Sequence, residues 1–155
     1  MIYTEKGIKI AVNSHFGIMD KTNIPSIFHS LRVMLWFKDD IRMAVGVLHD
    51  TIEDTKLTLD DLRREGFSEE IVLAVDAISR RKGEIYMDYI KRVSSNKIAR
   101  DVKIADLKDN MNRNDGLPEN EKKGLTKRYL RALDYCLTAL NEDFQKGKEN
   151  DGQSS

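Results

Sequence analysis

Residues 46–55, GVLHDTIEDT, set His49, Asp50, Glu53 and Asp54 into a segment otherwise rich in Val, Leu and Ile. Charged groups in such a place are costly to bury unless they are paired or hold a metal. In a helix, residues four apart share a face, so His49 lies over Glu53 and Asp50 over Asp54. Adjacent positions differ by about 100°, and the four residues make one broad polar stripe. Val45, Val47, Leu48 and Ile52 read as buried, so the stripe is expected to face a cleft. Taken alone, the spacing fits equally well a solvated helix end with His49 as a satisfied core histidine.

Two distant segments bear on that choice. In PSIFHSLRVM, His29 sits among Ile27, Phe28, Leu31 and Val33. A lone histidine there is more often structural than a ligand. In DVKIADLKDNM, Asp106 follows Val102, Ile104 and Ala105 and precedes Leu107, a setting in which a carboxylate needs a partner. Asn110 lies one turn on, on the same face, where it could equally be a surface amide. His29, His49, Asp50 and Asp106 together offer two imidazoles and two carboxylates from three helices. That mixture suits a divalent transition metal with positions open for water and substrate. Mn²⁺ is the expected ion, with Fe²⁺ or Zn²⁺ as alternatives.

Helical periodicity runs through the whole chain and strand signals are scarce. The pattern predicts helices over about 4–16, 25–36 and from Asp39 or Asp40 through the GVLHDTIEDT segment. Pro25 suits a first helical turn. Thr58 is expected to cap a short helix closed by Gly66, and Ser68 the next, closed by Gly83. Further helices are expected at 85–94, 96–113 and 119–144, with a turn at NDGLP (114–118). The expected architecture is all-α, a compact bundle of seven or eight helices in one domain over residues 1–144. Residues 145–155 read as a polar, disordered tail.

Lys+Arg and Asp+Glu both number 26 among the 155 residues, so no global field recruits nucleic acid or an anionic membrane, and neither is expected as a partner. Any anionic ligand must be held by a local cluster. The single cysteine, Cys136, excludes an internal disulfide and reads as a small core residue. No stretch reaches the roughly 18 apolar residues of a membrane span, and MIYTEKGIKI lacks a signal-peptide core. The expected location is the cytoplasm.

The order H…HD…D with the extension HDxxEDT resembles the HD superfamily of metal-dependent phosphohydrolases. Within it, the chain is similar to the hydrolase domain of RelA/SpoT proteins and their small single-domain homologues, over roughly residues 8–113. HFGIMDKTNIPSIFHSLRV resembles the family pattern AHxGQxxKxGxPYxxHPxxV, AVGVLHDTIEDT resembles LLHDxxEDT, and VKIADLKDNM resembles VKLADxxxNM. The resemblance implies an HD-domain fold and removal of the 3′-pyrophosphate from the nucleotide (p)ppGpp of the stringent response. It implies His29, His49, Asp50 and Asp106 as metal ligands. Glu53 and Asp54 would be the acidic pair that positions or deprotonates the metal-activated water, a role that needs a carboxylate within about 3 Å of it. Lys21 matches the family lysine near the substrate phosphates, and Asn110 would contact substrate or support the site.

Arg32 shares a helix face with His29 and is a second candidate for gripping phosphate. Arg80, Arg81 and Lys82 fall at a helix C-terminus, which attracts cations anyway. Tyr86 and Tyr89 fit either stacking on a base or core packing, and His15 reads as structural. The chain departs from the family pattern at Ile18, Asp20, Ser26 and Ser30. Asp20 replaces a residue that is often basic and set against the guanine, so these departures bear on which nucleotide is read. The alternatives are an HD phosphohydrolase for another phosphorylated substrate, and a non-catalytic nucleotide sensor.

Overall fold

Asp40 ties the first helix to the third. The first turn of α1 (Ile2–Ser14) has no capping side chain of its own, and its free N–H groups are taken by the Asp40 carboxylate. Thr4 donates its N–H at 2.8 Å and its hydroxyl at 2.7 Å to Oδ1, and Tyr3 donates its N–H at 3.2 Å to Oδ2. Asp39, in extended backbone, caps α3 (Asp40–Leu48) by accepting from Arg42 N at 2.9 Å. Adjacent aspartates thus fix two helix starts at one point.

Described by a computed structural model over residues 1–113 and 117–152, with backbone alone for 149–152, the chain continues with α2 (Ile27–Met34), α4 (Thr51–Asp54) and α5 (Leu59–Arg64). Then come α6 (Glu69–Ile78), α7 (Tyr86–Ser94), α8 (Lys97–Arg113) and α9 (Glu119–Gly152). Among the described residues there is no strand beyond an isolated bridge between Met19 and Pro25. The all-α expectation holds. α4 is one turn that continues α3 after a break at His49 and Asp50, and the two taken as one interrupted helix give eight.

Helix α3 is the central element, packed against α1, α2, α6 and α8. Two glycines let it come close to its neighbours. A Cβ on Gly46 would sit 3.0 Å from Met34 Cα and 3.2 Å from Met34 N, so α2 and α3 touch backbone to backbone there. A Cβ on Gly7 would lie 2.9 Å from Val47 Cγ1. Val45, Val47, Leu48, Ile71, Val75, Ile90, Val102 and Leu107 fill the core, each worth roughly 1.5–3 kcal/mol of burial.

The cap at Thr58 is a full capping box with Asp61, and Gly66 and Gly83 adopt φ of +79° and +76°. Ser68 begins α6 with no side-chain cap bond. The last helix runs past residue 144: the expected tail continues it through Gly152, and residues 153–155 lie outside the described ones. Buried Arg100 of α8 reaches α9 at Asp143, 2.9 Å away, next to the Glu, Lys and Gln residues that favour helix. Of the expected turn at 114–118, residues 114–116 lie outside the described residues. No helix of the described residues is long and apolar enough to cross a membrane.

Candidate active site

The segment carrying His49, Asp50, Glu53 and Asp54 is not the continuous helix that the spacing suggests. Asp50 takes φ −96° and ψ −7°, and the ladder breaks between α3 and α4. Side chains take up the carbonyls around the break: His49 Nδ1 donates to Gly46 O at 2.8 Å and Thr51 Oγ1 to Leu48 O at 2.6 Å. The break keeps His49 buried in the core while turning α4 and its two acids to the cleft wall.

Three helices converge here. His29 comes from α2, His49 and Asp50 from the end of α3, and Asp106 from α8. His29, His49 and Asp106 are buried and offer ligand atoms all within 4.8 Å of one another. His29 Nε2 is 3.2 Å from His49 Nε2 and 3.0 Å from Asp106 Oδ1. Asp50, a third exposed, joins them: Oδ1 is 3.1 Å from His49 Nε2 and Oδ2 3.6 Å from His29 Nε2.

The hydrogen-bond partners assign the tautomers. His49 gives its Nδ1–H to Gly46 O, and His29 gives its Nδ1–H to Asp109 Oδ2 at 2.6 Å. The two Nε2 atoms therefore face each other and the carboxylates of Asp50 and Asp106 across the pocket, a place that favours positive charge, whether a proton or a cation. Burial disfavours charge on all four groups. Even so, Asp106 and Asp109 hold His29 above the usual imidazole range, and Asp50 and Asp106 hold His49 well above it. Asp50 is drawn down to about 2 against its burial, mainly by His49, and Asp106 well below its ordinary value, mainly by Lys103. The buried donors, their mixed N and O chemistry and the converging Nε2 atoms fit a divalent transition ion. His29, His49, Asp50 and Asp106 would hold it.

The site opens into a cleft of about 500 Å³ whose lining includes Lys21, Asp50, Glu53, Asp54, Asp106 and Asn110. Glu53 Oε1 accepts from Arg80 N at 2.6 Å. Partial desolvation raises both Glu53 and Asp54 above ordinary carboxylate values, and Asp50's charge adds to it. Asn110 Nδ2 donates to Asp106 Oδ1 at 2.5 Å and so steadies a candidate ligand. Lys21 is exposed on a tight loop held by Asp20, which accepts from Thr22 N at 2.8 Å, Thr22 Oγ1 at 2.7 Å and Ile24 N at 3.1 Å. The other Asp20 oxygen accepts from Arg113 at 2.6 Å, so Asp20 is a loop anchor paired across to α8.

Arg32 is placed differently from expectation. It is bidentate to Asp109, at 2.7 and 3.0 Å, and borders a side groove instead of the main cleft. Asp109, Lys103, Arg113 and Arg128 are cleft or supporting residues that sequence reasoning did not single out. Asp109 alone left a signal, as an aspartate three positions after Asp106 in the same apolar helix. Lys103, partly buried, donates to Asp106 Oδ2 at 2.7 Å. His15 is buried with Nδ1 bonded to Ala11 O at 3.0 Å, a structural contact.

No family model matches the chain. Over 80 residues, 49% of this chain, it is 35% identical to a Streptomyces coelicolor protein named GTP pyrophosphokinase. Over 79 residues it is 32% identical to a Borreliella burgdorferi protein named guanosine-3′,5′-bis(diphosphate) 3′-pyrophosphohydrolase. The matched segments span only 9% and 12% of those two proteins. The fold matches a solved structure with a TM-score of 0.71 at 18% identity, over 94% of this chain and 96% of the other. That structure is described as a metazoan ortholog of SpoT that hydrolyzes ppGpp and plays a role in starvation responses. The fold is thus that of this SpoT ortholog. Sequence and structural likeness together support a domain like the hydrolase domain of RelA/SpoT proteins.

Proposed function

We propose that the chain is a metal-dependent phosphohydrolase that removes the 3′-pyrophosphate of (p)ppGpp, with Mn²⁺ as its ion, in the cytoplasm and as part of the stringent response. The observation that carries this reading is the meeting of His29, His49, Asp50 and Asp106 beside the acids Glu53 and Asp54 in one cleft. The ppGpp hydrolase of the same fold supports the choice of substrate.

In this reading the water oxygen bonds to the phosphorus attached to the ribose 3′ oxygen. The bond from phosphorus to the 3′ oxygen breaks, and the products are pyrophosphate and a free 3′ hydroxyl. The ion supplies positive charge against the diphosphate and makes water easier to deprotonate. Glu53 or Asp54 takes the proton from the attacking water, and Lys21 meets the substrate phosphates. Asn110 and Asp109 act as positioning residues through Asp106 and His29.

The test is pyrophosphate release from ppGpp by the purified protein with Mn²⁺, compared with His49→Ala and Asp106→Ala. Release by the unaltered chain and a loss of at least a hundredfold in both variants are expected. Full activity in both would refute the mechanism. A second reading, an HD phosphohydrolase for another nucleotide, is favoured by Asp20, whose carboxylate is spent on its own loop and Arg113. A nucleotide panel separates the two. Tight ppGpp binding with no turnover across several metals would instead indicate a sensor.

A further inference from the structure

A large apolar face lies at the corner between α1 and α2. Gly17, with φ +79°, turns the chain after α1 and leaves the Phe16 side chain outside the fold, 87% exposed. Met19, Ile24 and Phe28 follow, each about half exposed, and exposed Leu35 and Trp36 continue the line at the end of α2. The bridge between Met19 and Pro25 and the bond from Ser26 N to Ile18 O at 3.0 Å hold the 18–25 loop against the start of α2. Phe28 and Leu35 stand two turns apart on one face of that helix. At roughly 200 Å² of full surface per such side chain, the six leave about 700 Å² of apolar surface in water. The largest apolar patch of a typical monomer is about 300–600 Å², and a stable interface buries about 800 Å² of each partner.

The same face holds a groove of about 230 Å³, whose walls include Ile24, Pro25, Phe28, Arg32 and Arg113. From it the junction of α2 with α8 runs on through Arg32 and Asp109, 2.7 Å apart, to Trp36 and Lys108, 5.3 Å apart. Both arginines of the groove are already paired, Arg32 with Asp109 and Arg113 with Asp20. The groove thus offers apolar side chains and compensated guanidinium planes, which suit an aromatic ring better than an anion. A protruding ring and a groove for one on a single face are self-complementary. That is the condition for a two-fold contact in which each copy gives what the other receives.

We propose that this face is the interface of a two-fold dimer of the chain, in which Phe16 of each copy enters the side groove of the other. The seated ring covers Arg32 and shields its pairing with Asp109 from water. The inference concerns association alone, so it stands or falls apart from the hydrolase reading.

The test is sedimentation velocity of the full chain from about 1 to 100 µM. A dimer with a dissociation constant of about 1 µM or tighter is expected. F16S should weaken it at least about thirtyfold, as loss of a central aromatic anchor does, and F28S, in the groove wall, should weaken it too. The control L73S, which removes an exposed leucine from α6, should keep the parent constant. Thermal melts report whether each variant folds. If F28S does not, F16S decides, because its ring lies in solvent and the monomer does not depend on it. A parent chain that stays monomeric at about 100 µM overturns the proposal, as do a parent-like constant in F16S and equal losses in F16S and L73S. Growth beyond two copies with rising concentration also overturns it, because a two-fold contact closes on itself.

Discussion

Replacing Asp109 by asparagine is expected to cripple metal binding while the fold survives. Asp109 Oδ2 accepts from His29 Nδ1 at 2.6 Å, and its two oxygens take Arg32 at 2.7 and 3.0 Å. Asparagine has one acceptor oxygen where the carboxylate has two, so its NH₂ group must face either Arg32 or His29. Facing Arg32 sets donor against donor and forfeits a charge-assisted bond in a side chain only 8% exposed, a cost of about 1.5–3 kcal/mol. Facing His29 drives the imidazole to the other tautomer. The proton then sits on Nε2 and points into the pocket where a cation belongs. Loss of such an orienting partner typically weakens metal binding about 10–100-fold.

Mn²⁺ titration by calorimetry, paired with thermal melts, measures both effects. R32Q is the comparator. It removes the arginine but leaves the bond between His29 and Asp109, and should weaken Mn²⁺ by less than about threefold, since an indirect loss is smaller than a direct one. Parent-like affinity in D109N, or equal losses in D109N and R32Q, would refute the assignment of His29 orientation to Asp109.

Gly46→Ala should destabilise the protein by about 1–3 kcal/mol in urea unfolding, because the added Cβ meets Met34 backbone at 3.0 Å and cannot be relieved by a rotamer change. It should also weaken Mn²⁺ binding, since Gly46 sets the distance between the helices bearing His29 and His49; parent-like stability would remove the close-approach argument. Glu84, bidentate to Arg92 at 2.8 and 2.8 Å, is drawn from 4.5 down to about 2, first of all by that pairing. A carboxylate lowered in the folded state contributes stability above its unfolded value that fades as pH falls through the folded one. E84Q should therefore be less stable by up to about 3 kcal/mol at pH 7, with the deficit shrinking between about pH 5 and pH 2. A deficit independent of pH would assign the loss to packing.

The clearest signals in the sequence were polar groups in apolar surroundings. His29, His49 and Asp106 stood out because burial demands partners, and the structure brings them together. The break at His49 and Asp50 was not visible, because both residues keep helical-region backbone and differ from a helix only in lost ladder bonds. Arg32 is a different case. It shares a helix face with His29, but Asp109, 77 positions away, claims its guanidinium. The pairing of Asp20 with Arg113 and the gathering of Arg80 and Arg128 on Tyr86 likewise join residues far apart in the chain, which no local spacing encodes. The extent of α9 was underread because a polar segment looks alike as solvated helix and as coil.

Hydrolysis of ppGpp in ¹⁸O-labelled water with Mn²⁺, followed by mass analysis of both products, puts the proposed reaction on trial. One ¹⁸O atom in the released pyrophosphate, unlabelled GDP, and loss of both products in His49→Ala are the expected result. No Mn²⁺-dependent release, or label carried by the nucleoside instead of the pyrophosphate, would contradict it.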